Sequence, residues 1–315
     1  MKTRILITGG GGSGSEALYR IWKKKYKLYF CDSNFLKKPK ILDKSCWIKI
    51  PIASSKNYIQ ELKKIIIKYK INLLIPAVDE ELKVISNNRN KIKCEILLPN
   101  NKFINIHSNK WKTNQFLKRN NLKHPVTYIL KKKSKLLKPP FVLKPMIGRG
   151  SKGLKIINIK QNAKKFISQS DKEGKMIMQR KIIGEEYTVM ICANKYGIVR
   201  AIVPVKVIEK KGITTLGVTD KNKKVIDECY KIHNKMKTSG CYNIQLVLTE
   251  NNEVYPFEIN PRISTTTCLA IYCGVNIVEI FINDKVKIEK KNNLKSFKNN
   301  ILLSRSWVNE FSNFK

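Results

Sequence analysis

The run Ile5-Leu6-Ile7-Thr8 is apolar and strand-like, and it breaks at Gly9-Gly10-Gly11-Gly12-Ser13-Gly14-Ser15. A helical pattern follows over residues 16–25. A second apolar run, Leu28-Tyr29-Phe30-Cys31, then ends at Asp32. Strand, glycine-rich turn, helix and strand within about 30 residues leave few architectures open. Fully buried strands of this kind pair in parallel, and a parallel pair needs a crossover that covers the sheet. The unit therefore predicts a doubly wound α/β lobe, with ligands beyond the carboxyl ends of its strands. Two readings of the glycine loop stand side by side. One is dinucleotide binding, with Asp32 on a ribose; the other is a tight turn with a purely structural purpose.

A second repeat extends the lobe. Ile59, Leu62, Ile65 and Ile66 give residues 58–69 a helical period, and Leu73-Leu74-Ile75-Pro76 reads as a buried strand. Asp79, Glu80 and Glu81 open the next helix, where acids complement its dipole. They also stand where open sheets bind ligands. Glu95 to Leu98 is a further strand.

The chain has 315 residues, 42% hydrophobic, which suffices for two or three lobes. A formal charge of +40 would ordinarily point to nucleic acid or an anionic membrane. The lysines are spread through every segment, however, and no arginine-rich arm appears, so a general Lys/Ile/Asn bias explains the charge equally well. Neither a nucleic-acid nor a membrane partner is expected. The eight cysteines form no CxxC pair and no zinc spacing, which predicts buried free thiols. The apolar start is too short for a signal peptide, and no run approaches a membrane span. The expected compartment is the cytoplasm.

Further along, Ser108 is a candidate cap for a helix to about Arg119, with Lys110 in its first turn. Phe141-Val142-Leu143-Lys144-Pro145 is a strand that carries a lysine in an apolar run, and a half-buried lysine needs an anion. The glycine-rich stretch Met146 to Gly153 follows, then a returning strand at Leu154 to Ile157. Glycine frees backbone N–H groups to close over phosphates, although an ordinary hairpin has the same outline. Met176 to Gln179 is a strand, Arg180 to Gly184 a crossover, and Glu185 to Ile191 another strand, in which Glu186 alternates with Tyr187. The run 198–207 is a long strand, residues 212–219 pair back, and 222–237 is a helix. Gly240 to Leu248 then turns into Val254-Tyr255-Pro256-Phe257-Glu258-Ile259-Asn260-Pro261-Arg262. Alternation puts Glu258 and Asn260 on one face, and the hairpin brings Gln245 beside Glu258. Oxygen donors on one face suit Mg²⁺, and Arg262 offers a planar cation to a phosphate.

In this order the segments resemble the ATP-grasp superfamily, and within it the ligase domains of the carbamoyl-phosphate synthetase large chain. The most specific pieces are Asn243-Ile244-Gln245 with Glu258-Ile259-Asn260-Pro261-Arg262, and Gln179 through Glu186. The resemblance implies an α/β and α+β protein: a Rossmann-like lobe at 1–105, an ATP-grasp small subdomain at 106–185, and a large subdomain at 186–315. It implies that Lys110 and Lys144 contact phosphates, with Lys144 and Arg262 taking part in the chemistry. Gly148, Arg149, Gly150, Ser151 and Gly153 would form a flap over the triphosphate. Gln179, Lys181 and Ile182 would meet the adenine, mostly by backbone, and Glu186 the ribose. Gln245, Glu258 and Asn260 would hold two Mg²⁺ ions, with Mn²⁺ an allowed substitute. Gln179 stands where many members have Glu, and Gln245 where others have Asp or Glu. The activity so implied joins a small-molecule carboxylate to an amine through an acylphosphate, using ATP. A homodimer is compatible with the resemblance. The rival readings are an NAD(P)-dependent oxidoreductase using the first loop and a basic nucleic-acid-binding protein. Lys206, residues 214–219 and Ser264 to Thr267 are candidates for the substrate pocket, and residues 300–308 for a last strand. The three histidines, His107, His124 and His233, are scattered and expected to be structural.

Overall fold

The computed structural model describes residues 2–131, 136–159, 175–288, 290 and 293–306. Five parallel strands build the first lobe: β1 (Arg4–Thr8), β2 (Lys27–Asp32), β3 (Trp47–Lys49), β4 (Leu73–Ile75) and β5 (Glu95–Ile96), in the order β3-β2-β1-β4-β5. Helices α1 (Ser15–Trp22), α2 (Tyr58–Lys68) and α3 (Asp79–Asn87) make the crossovers. The continuous apolar run of β1 follows from burial on both faces. Ile5 and Ile7 enter one core cluster, and Leu6 enters another.

The strand order reverses between β1 and β4, the usual place for a ligand crevice. Here the three acids of α3 divide. Glu81 turns inward and is 3% exposed. Its carboxylate accepts hydrogen bonds from Tyr58 Oη at 2.6 Å, Val78 N at 3.0 Å, Ala77 N at 3.1 Å and the Thr8 hydroxyl. Burial pushes its pKa up, and these four donors pull it back. Glu81 thus pins the ends of β1 and β4 to α2. Asp79 and Glu80 stay on the crevice side, available to other lobes.

Helices α4 (Asn101–His107) and α5 (Lys110–Arg119) lead out of this lobe. The cap of α5 is Asn109, whose side chain accepts from Lys112 N at 3.0 Å, and not Ser108. The unforeseen helix α4 runs through His107 and makes Ser108 its own C-terminal cap. The second sheet holds β6 (Thr127–Ile129), β7 (Phe141–Pro145), β8 (Lys155–Ile157) and β9 (Met176–Arg180), antiparallel in the order β6-β9-β7-β8.

The third sheet contains β10 (Glu185–Ala193), β11 (Val199–Lys211), β12 (Ile213–Thr219), β13 (Gly240–Leu248), β14 (Val254–Asn260) and β15 (Leu302–Ser304). It is antiparallel, in the order β14-β13-β10-β11-β12-β15. Strand β11 runs past its expected end to Lys211, by way of register shifts between Val207 and Lys210. Of the expected last strand, Trp307 and Val308 lie outside the described residues. Helices α6 (Lys223–Lys235), α7 (Thr267–Tyr272) and α8 (Ile277–Asn283) complete the lobe. One face of the sheet, with Tyr187, Val189, Tyr242, Ile244 and Leu246, packs on α4, α5 and α6. The other, with Met190, Cys192 and Cys241, shares a core with the first lobe and with α7 and α8. The two lobes touch closely at Gly240 (φ +90°), where a Cβ would lie 2.8 Å from the Leu98 carbonyl carbon.

His233 lies between Tyr242 Oη (3.0 Å) and Gly197 O (2.9 Å) inside the large lobe. His107 meets Thr113 Oγ1 at 3.1 Å, and burial pushes its pKa down to about 3. All eight cysteines are unpaired thiols, and all but Cys94 are buried. Among the described residues no helix is long and apolar enough to cross a membrane.

Candidate functional site

The hairpin of β13 and β14 sets Gln245 opposite Glu258 and Asn243 opposite Asn260. Simple alternation would not put these carboxylate and amide groups on the crevice side. Val254 and Ile259 both point into the core beneath the sheet, although they differ in parity. The switch occurs at Phe257, which the register skips: Leu246 pairs with Pro256 and Gln245 with Glu258. One extra residue makes a bulge that reverses the side-chain alternation from that point. The bulge turns Glu258 and Asn260 away from the core and onto the face of Gln245, toward the first lobe. All three are half-buried.

Facing them is Lys144 of β7, 4% exposed, with its ammonium 5.3 Å from the centre of the Phe257 ring. No ion pair or hydrogen bond holds that ammonium among the described residues. Burial pushes its pKa down to about 8; Glu258 pulls it back up, and Lys110 and Lys210 push it further down. Lys110, at the start of α5, donates from Nζ to Gly148 O at 2.7 Å and lies 3.6 Å from Glu258 Oε1. Its backbone N–H donates to Met146 O at 2.8 Å, which fixes the root of the glycine-rich loop. Lys110 is therefore the lysine within ion-pair range of Glu258, while Lys144 feels that carboxylate only through its charge, so positive charge is in excess here.

Arg262 leaves the end of β14 and forks onto Asp79 of the first lobe, Nε to Oδ1 at 2.9 Å and Nη2 to Oδ2 at 2.6 Å. Arg149, in the glycine-rich loop, reaches the same helix turn: 3.1 Å to Glu80 Oε1 and 4.0 Å to Asp79 Oδ2. The loop itself uses glycine-only geometry at Gly148 (φ +145°) and left-handed geometry at Gly150 (φ +64°) and Gly153 (φ +73°). Ser151, at φ +58°, takes the left-handed region without being glycine. A Cβ at Gly148 or Gly150 would meet nothing within 4 Å, so these glycines serve the backbone path and not a tight fit.

The crossover after β9 is less open than its sequence suggests. Gln179 is 4% exposed, and its Nε2 donates to Thr127 Oγ1 at 2.9 Å, inside the small sheet. Lys181 N donates to Pro140 O at 3.2 Å, which takes up its backbone donor, and Lys181 and Ile182 are both half-buried. Glu186 forms an ion pair with Lys210 of β11. Lys206 pairs with Glu185.

The first glycine loop is tied up internally. Gly10 N donates to Cys31 O at 3.0 Å, Gly11 N to Asp32 Oδ2 at 2.9 Å and Gly12 N to Gly9 O at 2.9 Å. Asp32 Oδ1 accepts from Asn34 N at 2.9 Å. The dinucleotide reading required these N–H groups for a pyrophosphate and Asp32 for a ribose, and the structure spends both on the turn itself. Arg305 clasps the loop from outside, donating to Ser13 O at 2.9 Å, Thr214 O at 3.1 Å and Thr265 O. The 214–219 and 264–267 segments are thereby drawn to one side of the first lobe. Thr267 Oγ1 also accepts Ser264 N at 3.0 Å.

Among the described residues no three His, Cys, Asp or Glu side chains are placed to hold a metal. The donor set of one carboxylate, Glu258, and two amides, Gln245 and Asn260, is too weakly charged for a resident divalent ion. It does fit Mg²⁺ that arrives with phosphate oxygens and keeps some of its waters. The Arg262–Asp79 fork, the Phe257 bulge and the Lys210 partner of Glu186 were not legible in the sequence. The only hint was an acid cluster beyond the carboxyl end of β4.

A family model described as ATP-grasp domain matches residues 107–266, and one described as PylC-like, N-terminal domain matches residues 5–97. No curated protein matches the chain. Solved structures resemble it at low identity. An L-amino acid ligase from Bacillus licheniformis gives a TM-score of 0.70 at 13% identity, covering 93% of this chain and 77% of that one. N5-carboxyaminoimidazole synthetase from Staphylococcus aureus, complexed with ADP, gives 0.64 at 17%, covering 87% and 74%. Biotin carboxylase from Campylobacter jejuni, in a β,γ-ATP complex, gives 0.66 at 15%, covering 96% and 74%.

Proposed function

Because this chain belongs to the ATP-grasp family, we propose that it is an ATP-dependent ligase that joins a small-molecule carboxylate to an amine. The observation that carries this reading is the convergence of Lys110 and Lys144 on Glu258, with Arg262 two residues beyond the Asn260 amide. A carboxylate is a poor electrophile until it is phosphorylated. Phosphoryl transfer asks the protein for positioning and charge neutralisation more than for a nucleophile. The similarity to enzymes described as an L-amino acid ligase and a synthetase complexed with ADP supports the same class.

Each residue then has a part. Lys110 and Lys144 neutralise the phosphates from opposite walls, and Gly148, Arg149, Gly150, Ser151 and Gly153 close over them. Gln179, Lys181 and Ile182 line the adenine, and Glu186 the ribose, where it exchanges Lys210 for a hydroxyl. Gln245, Glu258 and Asn260 would hold Mg²⁺ arriving with the nucleotide, and the ion would supply charge stabilisation to the transferring phosphoryl group. Arg262 leaves Asp79 to grip the transferred phosphate. Closing the loop excludes water that would hydrolyse the acylphosphate. The amine then attacks the acyl carbon and phosphate departs. We assign residues 1–105 to a substrate-facing lobe, 106–185 to the small subdomain and 186–315 to the large one. Two metal ions, a homodimer and a cytoplasmic setting, in keeping with the free thiols, belong to the same proposal.

The test is a screen of carboxylic acid and amine pairs for ADP release with Mg²⁺. Turnover that requires both partners is expected. No turnover with any pair, together with no ATP binding, overturns the proposal.

A further inference from the structure

Asn243 is 1% exposed, and its amide is only half satisfied. Its Nδ2 donates to Thr188 Oγ1 at 2.6 Å and to Val189 O at 3.3 Å. A backbone carbonyl can only accept, so the NH₂ end is fixed by Val189 and the oxygen is the other end. That oxygen, Oδ1, is buried without a partner. A buried acceptor left unmade is costly, and in a native fold it calls for an explanation.

Directly across the strand pair stands Asn260, whose side chain makes no hydrogen bond among the described residues. Opposed residues of an antiparallel pair project to the same face with Cβ atoms about 5 Å apart. An asparagine that offers its oxygen to a cation must send its NH₂ group elsewhere. The orphan oxygen of Asn243 is an acceptor on the register partner of Asn260, on the same face.

We infer that Asn243 is a positioning residue for the metal-holding amide: its Oδ1 accepts the Asn260 NH₂ and thereby points Asn260 Oδ1 at the Mg²⁺–nucleotide. The orientation is relayed from the backbone of β10, through Val189 O and Thr188 Oγ1, across β13 to β14. Asn243 touches neither metal nor nucleotide. Partners of this kind behind a metal ligand typically affect metal affinity by about 10–100-fold. The inference rests on the proposed nucleotide and metal site.

The experiment is a double-mutant cycle read by Mn²⁺ binding in the presence of ADP, followed by electron paramagnetic resonance. Asn243→Thr is expected to weaken Mn²⁺ binding about 10–100-fold while ADP affinity without metal stays the same. In the Asn260→Asp background residue 260 has no NH₂ group to orient, so Asn243→Thr should then cost little. An equal loss in both backgrounds, or an equal loss of metal-free ADP affinity, overturns the inference in favour of a packing role. Should Asn243 variants fail to fold, the wild type still decides. On adding Mg²⁺ and ADP, the Asn260 side-chain NH₂ should become protected from solvent exchange by nuclear magnetic resonance, and fast exchange overturns the inference. Failure of the wild type to bind Mn²⁺ with ADP overturns the site itself, and binding with no coupling overturns only the role of Asn243.

Discussion

Lys144 gives the sharpest quantitative expectation. Its ammonium is nearly inaccessible, unpaired among the described residues, and pushed down to a pKa of about 8 from 10.5. The folded value lies below the unfolded one, and the group is a cation. Burial therefore penalises folding below pH 8, and the penalty fades as pH rises from there toward 10.5. Two and a half units correspond to about 3 kcal/mol. A triphosphate beside Lys144 reverses the balance and restores the proton. At pH 8 the free protein holds it on half its molecules, so binding should take up about half a proton, falling to about a tenth at pH 7. Above pH 8 nucleotide affinity should decline toward tenfold per pH unit. Titration calorimetry with metal-free ADP, in two buffers of different ionisation heat, reads the uptake directly. Lys144→Met should abolish it, weaken ADP binding, and raise thermal stability at pH 7. Equal heats in both buffers at pH 8, with unchanged affinity in Lys144→Met, would refute the reasoning.

Other expectations follow from the same geometry. Glu258→Ala should abolish acid- and amine-dependent ADP release yet melt within a few degrees of the parent, because among the described residues its one ion-pair partner is Lys110 at 3.6 Å. Deleting Phe257 removes the extra residue and makes Pro256 and Glu258 consecutive opposite Leu246 and Gln245, so Glu258 and Asn260 should keep the crevice face in an unbulged strand; retained Mn²⁺–ADP binding checks this, and its loss contradicts it. Asp79→Asn frees Arg262, so ATP affinity should rise several-fold while stability falls by about 1–3 kcal/mol, measured by ATP titration and urea unfolding. Gly184→Ala places a Cβ 2.2 Å from Leu248 O at φ +149°, and a loss of about 2 kcal/mol or more should appear on urea unfolding.

Local pattern carried much of the architecture. The apolar run of β1 announced a sheet buried on both faces, and Gln245 met Glu258 because a short turn joins their strands. Lys144 was conspicuous as a charge within an apolar strand. What stayed hidden depends on distance or on register. Arg262 and Asp79 are 183 residues apart, and nothing local to either names the other. The bulge at Phe257 leaves no trace in composition: the two-residue spacing of Glu258 and Asn260 gave their shared face, but not which face. Asp32 looked free for a ribose because its partner, Gly11 N–H, is a backbone group that carries no side-chain signal.

Arg305 reaches back 292 positions to the Ser13 carbonyl and gathers Thr214 and Thr265 in the same grip. During synthesis the first lobe emerges and folds long before that guanidinium exists. The glycine turn, already closed on Asp32, can hold its shape while it waits. The wall between the turn and Thr265 cannot be fastened until the ribosome has passed β15. Catalytic competence should therefore lag behind the appearance of native-like secondary structure in a nascent chain, and a ribosome stalled before Arg305 should display a folded but unclasped enzyme.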